Sequence, residues 1–585
     1  MSWITPRIWR SPQSNFNEDE PLECIQVYTQ EVLVNIYRQG FDAIWMRGRL
    51  WELIRSELYP KLNDSNACRR ISNLKKVTAD GLECGVKVFL YFNEPLALPK
   101  DHDFWREHPA LAGEPHREVE LGLEVLSLCT STPQFKAFFR ESVRNLFDDL
   151  EMLGGVILVT ASEYQTHCWS HRAKRKIGDP YIDRCFAEMQ CPNCRDREPA
   201  DVVAELVNVW KEQAEQTHSP PRVLVWNWSW SMWYDEPQRE VIDTLPDGVK
   251  LMCDFERGGF RQQDVGNVLI DEYSLGYTGP SERFMGSREA ADARSLPVCA
   301  KLQLGTTHEL ATVPNLPLIP SLFDKLRSID ELGIDGLMCS WNFGNTATLN
   351  TAAFGMFVDR ADLRRDKDGF LRALASEYFG AVDCRKILDA WRSFCDAFGQ
   401  YPFTIKMLYF SPMNYAVAYP LRLSYKDRPM GPAWIPHSPW GDRLEDCLGP
   451  FTIEQVCQCF EKMAGLWNRG LELYASALGD MKNRHQAEEL SCAKLIGCHL
   501  AAMRNIFDFH EWRRGKMRES GLRAPCRLLA DEQALELIRR HIRACRAALR
   551  LSRLDSRLGY HQEPHAYLYD AHAIEKAIVQ CSKEA

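Results

Sequence analysis

The sequence has no excess of positive charge, no apolar segment of membrane length and no internal repeat. Lys and Arg together number 71 against 80 Asp and Glu, so the formal net charge is −9. This mild acidity argues against a general nucleic-acid-binding protein, which needs a basic face. The longest apolar run, Gly154–Thr160, has the length of a strand and not the about 20 residues of a membrane span. We therefore expect neither nucleic acid nor membrane as a partner.

The N-terminal residues show no basic start followed by an apolar run, so no secretory signal is visible. The 21 cysteines are an odd number and are scattered along the chain rather than grouped as a disulfide framework. Scattered cysteines in a large acidic enzyme are typical of reduced thiols, which predicts a cytoplasmic location.

The composition is that of a globular protein with an aromatic excess. Hydrophobic residues make up 45% and charged residues 26% of the chain, which excludes disordered, collagen-like and coiled-coil proteins. Aromatic residues reach 11%, with 17 Trp. Such an excess fits a binding cleft with flat apolar faces, although it also fits simple filling of a core.

Short β-rich runs alternate with amphipathic helical stretches in the first part of the chain. Eight such runs are visible, at Arg7–Trp9, Ala43–Met46, Val86–Phe92, Val156–Thr160, Val223–Trp228, Lys250–Cys253, Val298–Leu302 and Gly336–Ser340. Eight strands separated by helices predict an α/β fold with a parallel sheet, the (β/α)8 TIM barrel, over residues 1–355. An open doubly wound sheet is the alternative, although no glycine-rich nucleotide-binding motif opens a helix to support it.

The remaining residues, 356–585, are predicted to form a mainly α-helical C-terminal domain. Apolar positions recur with helical spacing in Gly369–Phe379, Cys384–Phe398, Ile453–Leu478, Asn483–Trp512 and Asp531–Leu549. Between them, the segment 425–442 is rich in proline and tryptophan. This loop could cover the mouth of the barrel, or it could pack on the helical domain.

Polar and aromatic residues follow the predicted strands at the end where a barrel carries its active site. The substrate-binding candidates among them are Glu94, His167, Trp226, Trp228, Glu256, His308, Trp341 and Asn342. Indole faces stack on the C–H face of a pyranose ring, amides and carboxylates bind its hydroxyl groups, and two carboxyl groups commonly flank the scissile bond. This concentration of residues predicts a carbohydrate site.

Glu163 is the first candidate for the catalytic acid. It follows the apolar run Gly154–Thr160, which should lie in the barrel wall. Indoles and Tyr164 beside the carboxyl group could raise its pKa, as a general acid requires. A glutamate at a strand end could instead cap the next helix or pair with Arg172.

The second catalytic carboxylate has three alternatives, Asp254 and Glu256 after strand six and Glu309 after strand seven. Strands four and seven lie across a barrel mouth from each other, so Glu163 with Glu309 would form the carboxylate pair of a simple retaining glycosidase. His308 and Glu309 could instead bond to backbone. Glu94, which precedes a proline, could bind a sugar hydroxyl group or simply be solvated.

The stretch from Leu128–Pro133 through Gly154–Ile157 to Ser162 and Glu163 resembles the β-N-acetylhexosaminidases of glycoside hydrolase families 20 and 123. Trp341 is similar to the tryptophan on the eighth strand of those enzymes. The resemblance covers residues 1–345 in layout and is specific over about 40 residues. It implies substrate-assisted hydrolysis, in which a glutamate is the general acid/base, the 2-acetamido oxygen of the substrate attacks the anomeric carbon, and a neighbouring aspartate orients the amide.

Glu163 matches the acid position of these families, but Ser162 stands where they have the aspartate. A serine cannot balance the positive charge of an oxazolinium ion. Either Asp254 or another carboxylate takes its place, or the substrate has no acetamido group. Arg7 is similar to an arginine that holds sugar hydroxyl groups in these families, and Arg10 or Arg47 could serve instead.

A zinc site is suggested by Cys191-Pro192-Asn193-Cys194, with His167 and Cys168 upstream. A C-x-x-C motif with a histidine and a further cysteine can supply a tetrahedral structural zinc site, with His167, Cys168, Cys191 and Cys194 as ligands. His167 could instead contact the substrate or tune Glu163. We expect no cofactor for the reaction itself.

Together these features predict an exo-acting glycoside hydrolase, and the resemblance implies that it acts on β-linked N-acetylgalactosaminides or N-acetylglucosaminides. Another exo-glycosidase, acting on an acidic or neutral sugar, is the alternative within the same class. A non-catalytic carbohydrate-binding protein is the alternative from a different class, because Ser162 departs from the catalytic pattern. The helical domain could also support a homodimer.

Overall fold

The computed structural model describes residues 3–117, 123–161, 164–178, 180–263, 265–435, 440–479 and 483–585. Eight parallel strands close into a barrel in which each strand neighbours the next one along the chain, and the last strand neighbours the first. The strands are β1 (Arg7–Trp9), β2 (Ala43–Arg47), β3 (Lys87–Phe92), β4 (Gly155–Val159), β5 (Arg222–Trp226), β6 (Lys250–Asp254), β7 (Val298–Lys301) and β8 (Leu337–Met338). The predicted (β/α)8 barrel is therefore confirmed.

The chain divides into two compact units that alternate along the sequence. The first contains the chain up to Phe255, Arg283–Lys301 and Gly333–Met338, and therefore all eight barrel strands. The second contains Glu256–Glu282, Leu302–Leu332 and Cys339–Ala585. The domain boundary predicted after residue 355 stays a prediction.

Helices connect the strands as the alternating pattern predicts. They are Glu20–Val27, Gln30–Arg38, Leu50–Leu53, Ala67–Glu83, Phe104–Glu107, Pro133–Asp149, Pro180–Arg184, Pro199–Glu215, Arg239–Ile242, Glu282–Ala293 and Ile319–Leu332. Pro133–Asp149 shows how local sequence sets a helix. Thr132 accepts a hydrogen bond from the Phe135 amide as N-cap, and the proline occupies the first helical position, where no amide donor is needed.

The inner face of the barrel follows from strand register. Side chains alternate between the two faces of a strand, and register partners on neighbouring strands point to the same face. The pairing around the barrel groups Ile8, Trp45, Arg47, Phe89, Tyr91, Gly155, Ile157, Val159, Leu224, Trp226, Met252, Asp254, Cys299, Lys301 and Met338 on one face. The Lys301 Nζ lies 5.8 Å from the Trp226 ring centroid although β6 separates their strands. Side chains from strands two apart converge only inside a closed barrel, so this face is the interior.

Gly155 shows how tightly the interior is filled. A Cβ atom built on Gly155 would lie 2.3 Å from Cε1 of Phe89 and 2.6 Å from the carbonyl oxygen of Arg222. Both distances are far below normal van der Waals contact, so only glycine fits at the start of β4. The lower barrel is therefore a packed core, as barrel interiors usually are.

A small antiparallel sheet interrupts the connection between β3 and β4. Its strands are Leu98–Pro99, Glu124–Leu128 and Ala112–Arg117, with Glu124–Leu128 in the centre. The sheet lies after β3, and the connections after strands lie at the C-terminal end of a barrel. It therefore belongs to the end that carries the active site in barrel enzymes.

The second unit is mainly helical, which confirms the predicted fold class for the C-terminal part. Its helices after β8 are Leu349–Asp359, Lys367–Phe379, Cys384–Phe398, Ile405–Phe410, Ile453–Leu478, Arg484–Ser520, Glu532–Ser552 and Ala571–Ser582. Short strand pairs accompany them, namely Gly259–Gln263 with Gly266–Ile270, Ser424–Tyr425 with Cys526–Arg527, and Tyr560–His561 with Ala566–Tyr567. None of the described helices is long and apolar enough to cross a membrane.

Candidate active site

Ser162 and Glu163, the candidates at the end of β4, lie outside the described residues. Thr160 and Tyr164, on either side of them along the chain, lie in the barrel unit. Thr160 directly follows β4 and is buried, while the Tyr164 ring lies 6.3 Å from the Phe16 ring and 4.6 Å from the Arg47 guanidinium. Thr160 and Tyr164 therefore lie among side chains at the C-terminal end of the barrel. The catalytic role of Glu163 stays a prediction.

His167 is hydrogen-bonded to the residue that directly follows β4. Its Nε2 lies 2.6 Å from the Thr160 carbonyl oxygen, to which it donates, and its Nδ1 accepts from the Trp169 amide at 3.3 Å. The Trp230 indole also donates to the Thr160 hydroxyl at 2.9 Å. Burial lowers the pKa of His167 to about 4, so the ring is neutral at neutral pH. His167 therefore links the end of β4 at Thr160 to the backbone at Trp169.

The last inward-facing side chains of β5, β6 and β7 are one aromatic and two charged residues that lie close together. Trp226, Asp254 and Lys301 occupy them, with exposed fractions of 1%, 7% and 0%. Asp254 and Lys301 are register partners on neighbouring strands. The Trp228 ring continues the aromatic surface at 5.3 Å from the Trp226 ring. The structure therefore brings Trp226, Trp228 and Asp254, three of the predicted site residues, to one part of the barrel.

On the opposite side of the barrel, at the same level, two arginine guanidinium groups pack against aromatic rings. The Arg10 guanidinium lies 4.0 Å from the Trp45 ring centroid, and Arg10 forms a buried ion pair with Glu20 at 2.5 Å. The Arg47 guanidinium lies 4.3 Å from the Phe16 ring centroid. Arginine–aromatic pairs of this kind are favourable and hold both partners in place. Arg10 and Arg47 are thus two arginines that aromatic rings hold at this end of the barrel.

Arg7 lies at the other end of the barrel. It begins β1, and its register partner is Leu337 at the start of β8. Its guanidinium donates to the carbonyl oxygens of Gly40 and Ile4 at 2.5 and 2.6 Å and pairs with Asp42 at 3.2 Å. The structure does not bring Arg7 to the layer that holds Trp226 and Asp254.

Glu94 is a buried carboxyl group just after β3. Its Oε1 accepts from the Leu50 amide at 2.8 Å and its Oε2 from the Leu96 amide at 3.2 Å. Burial raises the pKa of Glu94 to about 8, against the opposing effect of the two amide donors. Glu94 thus caps the short helix Leu50–Leu53 and its own loop, and a direct role in sugar binding stays a prediction.

A cluster of four thiols lies in the connections after β3 and β4. Cys129, Cys168, Cys191 and Cys194 are all buried, and their Sγ atoms lie within 4.8 Å of one another. Three of them belong to the ligand set predicted for zinc. The fourth thiol is Cys129 and not His167, because both His167 ring nitrogens are bonded to backbone. Hydrogen bonds from the other three thiols lower the pKa of Cys129 well below its ordinary value.

In the second unit, Glu309 and Glu256 are anchored carboxylates. Glu309 is fully buried and accepts from the hydroxyl groups of Ser274 and Thr307 at 2.8 and 3.0 Å and from the Leu275 amide at 2.7 Å. Glu256 is also fully buried and pairs with the Lys325 Nζ at 2.5 Å. These partners lie within the second unit, and the Oε2 atom of Glu256 is buried without a hydrogen-bond partner among the described residues. The roles of both carboxylates in catalysis or binding stay predictions.

His308 lies in an aromatic cluster of the second unit. Its Nε2 lies 3.1 Å from an Oε atom of Glu563, and its ring centroid lies 4.8 Å from Tyr409 and 5.6 Å from Trp434. His561 lies at 5.8 Å from the same ring. The cluster combines imidazole, carboxylate and aromatic groups, and the substrate-binding role of His308 stays a prediction.

Trp341 and Asn342, the candidates after β8, directly follow Ser340, whose hydroxyl group is hydrogen-bonded. The Ser340 hydroxyl donates to Gln303 Oε1 at 2.9 Å, and the Trp341 amide approaches the same oxygen at 3.4 Å. Trp341 is half-buried and Asn342 is 8% exposed. Gln303 therefore holds the start of this loop within the second unit.

No protein-family profile and no curated protein matches the sequence. Among solved structures, the chain is similar to a GH138 enzyme targeting pectin rhamnogalacturonan II, with a TM-score of 0.53 and 10% identity over 97% of this chain and 64% of that chain. It is also similar to a mutant of the Thermobaculum terrenum O-GlcNAc hydrolase (TM-score 0.38, 10% identity, 99% of this chain and 94% of that one). CpGH84B has a TM-score of 0.36 at 10% identity, over 98% of this chain and 77% of that one. At 10% identity, the likeness to the GH138 enzyme shows a shared fold, and at that level it agrees with the distant resemblance to glycoside hydrolases that the sequence predicts.

Two residues of these groups were not candidates in the sequence. Lys301 lies with Trp226 and Asp254, and Cys129 lies in the thiol cluster. Lys301 is the last residue of β7, and a lysine at the end of a buried strand is the signal that could have identified it. Cys129 directly follows the central strand of the small sheet. Its thiol partners are more than 35 residues away along the chain, so local spacing carried no signal for it.

The anchoring of Glu309 leads to a stability prediction. Replacing Glu309 by glutamine should remove the charge from three strong hydrogen bonds in a fully buried site. We expect the free energy of unfolding to fall by about 1–3 kcal/mol. Urea denaturation followed by circular dichroism measures this loss. Unchanged stability together with a collapse of kcat would instead support Glu309 as the partner of Glu163 in a two-carboxylate mechanism.

Proposed function

We propose that the chain is an exo-acting glycoside hydrolase that cleaves β-linked 2-acetamido sugars, N-acetylgalactosaminides or N-acetylglucosaminides. The observation that supports this most is the inward group of Trp226, Asp254 and Lys301 at the C-terminal ends of consecutive barrel strands. This end carries the active site in barrel enzymes. An indole provides a stacking surface for a sugar ring, and a carboxylate beside it can stabilise positive charge at the reacting carbon.

In the proposed reaction, Glu163 donates a proton to the glycosidic oxygen as the bond to the anomeric carbon breaks. The 2-acetamido oxygen attacks the same carbon, which gives an oxazolinium ion. Asp254 provides the negative charge that Ser162 lacks and accepts a hydrogen bond from the amide N–H. The Glu163 carboxylate then takes a proton from water, which attacks the anomeric carbon and restores the acetamido group. The product keeps the configuration of the substrate.

A second candidate substrate is a sugar with an acidic group. Arg10, Arg47 and Lys301 bring three cations to one layer of the barrel, of which Arg10 is paired with Glu20. The similarity to an enzyme that targets a pectin, an acidic polysaccharide, supports the same candidate. In this case the carboxylate or sulfate of the sugar would lie near Arg47 and Lys301.

We propose that hydrolysis needs no cofactor, because side chains and the substrate supply the acid, the base and the nucleophile. A carbohydrate is then the partner of the site. We also propose a cytoplasmic location, where thiols remain reduced. All 21 cysteines are free in the structure, which supports this location.

A panel of p-nitrophenyl glycosides tests the proposed function. It contains β-GalNAc, β-GlcNAc, α-GalNAc, β-galactoside, β-glucuronide and α-galacturonide. We expect selective release from the β-linked 2-acetamido sugars, with kcat lowered by about 10²–10⁴-fold in Glu163→Gln, the range of a lost general acid/base. Glu124→Gln is the matched control, because Glu124 is an exposed residue that pairs with Lys100.

The other outcomes of the panel separate the alternatives. Release from the uronides alone would favour the acidic-sugar candidate and remove the acetamido group from the mechanism. Release from none of the substrates, together with binding of a sugar that Glu163→Gln retains, would favour a non-catalytic carbohydrate-binding protein.

A further inference from the structure

The thiol cluster brings together cysteines from two separate connections of the barrel. Cys129 follows the central strand of the small sheet after β3, whereas Cys168, Cys191 and Cys194 belong to the connection between β4 and β5. The exposed fractions of the four residues are 2% or less. Four thiols have thus been buried together, although thiols are poor hydrogen-bond partners for one another.

The distances within the cluster match those of a tetrahedral metal site. Cys129 Sγ lies 3.6 Å from Cys191 Sγ and 3.8 Å from Cys194 Sγ. Zinc–sulfur bonds of about 2.3 Å in a tetrahedron place neighbouring sulfur atoms about 3.8 Å apart. A disulfide would need about 2.05 Å, and none of the four cysteines forms one. The sulfur atoms therefore have the spacing of ligands around a common centre.

The surroundings of the cluster are suited to thiolates. The Glu114 amide donates to Cys168 Sγ at 3.4 Å, and the Ser131 hydroxyl lies 3.1 Å from Cys194 Sγ. The Asn193 amide group donates to Cys129 Sγ at 3.6 Å. Donors around the sulfur atoms stabilise negative charge and orient the ligands of metal sites.

The backbone also packs closely around the thiol cluster. A Cβ atom on Gly113 would lie 2.5 Å from Cys168 Sγ, so the chain approaches the sulfur as closely as glycine allows. Glu114, which is fully buried, accepts from the amides of Gln190 and Cys191 at 2.8 Å and pairs with Arg172 at 2.7 Å. The small sheet and the Cys191–Cys194 turn are therefore held together around the four thiols.

We propose that Cys129, Cys168, Cys191 and Cys194 bind one zinc ion in a tetrahedral structural site. Four thiolates without an open position are typical of structural zinc, and soft sulfur ligands favour it over calcium, magnesium or manganese. The ion crosslinks the small sheet after β3 to the connection after β4. This proposal is independent of the sugar that the protein cleaves and of hydrolysis itself.

Metal analysis of the intact protein tests the proposal. After purification in zinc-containing buffer and dialysis, we expect about one zinc per chain, since structural sites hold zinc tightly. A mercurial reagent that reacts with the thiols should release this zinc. Cobalt substitution should give thiolate charge-transfer absorption and the strong visible bands of a tetrahedral site. A zinc content well below one per chain, or one iron in place of zinc, would overturn the proposal.

Cysteine variants locate the ion. Cys191→Ser and Cys194→Ser together should reduce the zinc content to near zero, whereas Cys185→Ser should keep it, because Cys185 lies in the same connection and outside the cluster. Cys299→Ser provides a second control within the barrel. If the double variant is insoluble, the cobalt spectrum of the unmodified protein still decides the ligand set. Full zinc content in a soluble double variant would place the ion elsewhere.

Discussion

Replacement of Asp254 by asparagine should lower kcat by about 10²–10³-fold, the loss expected when one electrostatic partner of a developing charge is removed. Asparagine has almost the same volume as aspartate and can still accept a hydrogen bond. It cannot balance positive charge on the oxazolinium ion. The affinity for substrate should change much less than kcat, because the positive charge arises only during the reaction.

Asp335→Asn is the matched control for this variant. Asp335 lies two residues before β8, has a side chain that is 46% exposed, and lies 3.7 Å from Lys250 at the start of β6. It is thus an aspartate of the same unit at the opposite end of the strands. We expect its kcat to equal that of the unmodified protein within about twofold, as is usual for a surface change away from the site.

A thiazoline analogue of the proposed intermediate gives a second readout for Asp254. It should inhibit the unmodified protein competitively and bind more weakly to Asp254→Asn, because the analogue has the fused-ring geometry of the oxazolinium ion and a similar positive charge once its ring nitrogen is protonated. Full activity and unchanged inhibition in a folded Asp254→Asn variant would show that another carboxylate balances the charge. Both variants must have normal circular dichroism spectra for the comparison to hold.

Acidification should destabilise the protein between about pH 6.5 and pH 4 through its buried neutral histidines. Burial lowers the pKa of His167, His499 and His541 to about 4 each. In the unfolded chain the pKa of histidine is about 6.5. The unfolded state therefore binds protons first as the pH falls. Stability from these groups is complete above about pH 6.5 and is lost progressively toward about pH 4.

The expected effect is large for a protein of ordinary stability. A shift from about 6.5 to about 4 corresponds to about 3 kcal/mol for each histidine at low pH. The surroundings of His499 explain why its ring stays neutral. It is fully buried, donates to the Met413 carbonyl oxygen at 2.8 Å and lies 2.7 Å from the Tyr569 hydroxyl. A proton on the second nitrogen would lose that hydroxyl donor and add a buried charge.

Urea denaturation at a series of pH values between about 7.5 and 4.5 measures this effect. We expect the midpoint to fall steeply below about pH 6.5, and to fall less steeply in His499→Gln, which has no titrating ring. His218→Gln is the control, because His218 is exposed. A midpoint that stays constant across this range, or a slope unchanged in His499→Gln, would contradict the assignment.

The barrel could be predicted because its strands are buried on both faces. The run predicted at Val86–Phe92 corresponds to β3 at Lys87–Phe92, and its residues other than Lys87 are buried. Such strands are continuous apolar runs that end in glycine, proline or polar residues. The small sheet after β3 was not predicted, because Leu98–Pro99 is too short and Ala112–Arg117 too polar to stand out. The helix predicted to end at Trp512 continues to Ser520. Its last two turns are mostly polar, so the apolar periodicity gave no signal for them.

The site could be predicted only where a side chain directly follows a strand. Asp254 and Trp226 were identified in this way, because the end of a strand fixes the height of a side chain in a barrel. His167 was expected to be a zinc ligand because it precedes Cys168, but its ring turns to the Thr160 carbonyl. Cys129 could not be paired with Cys191 from spacing, because that contact is made by folding two connections together.

The interior of the barrel has consequences for engineering a new specificity. Gly155 and Ile8 occupy inward positions in its lower part, whereas Arg47, Asp254 and Lys301 occupy the last inward positions of their strands. The polar residues lie on separate strands, and their backbone hydrogen bonds do not depend on their side chains. Mutant libraries can therefore randomise this upper layer one strand at a time, while the tightly packed layer below keeps the scaffold folded.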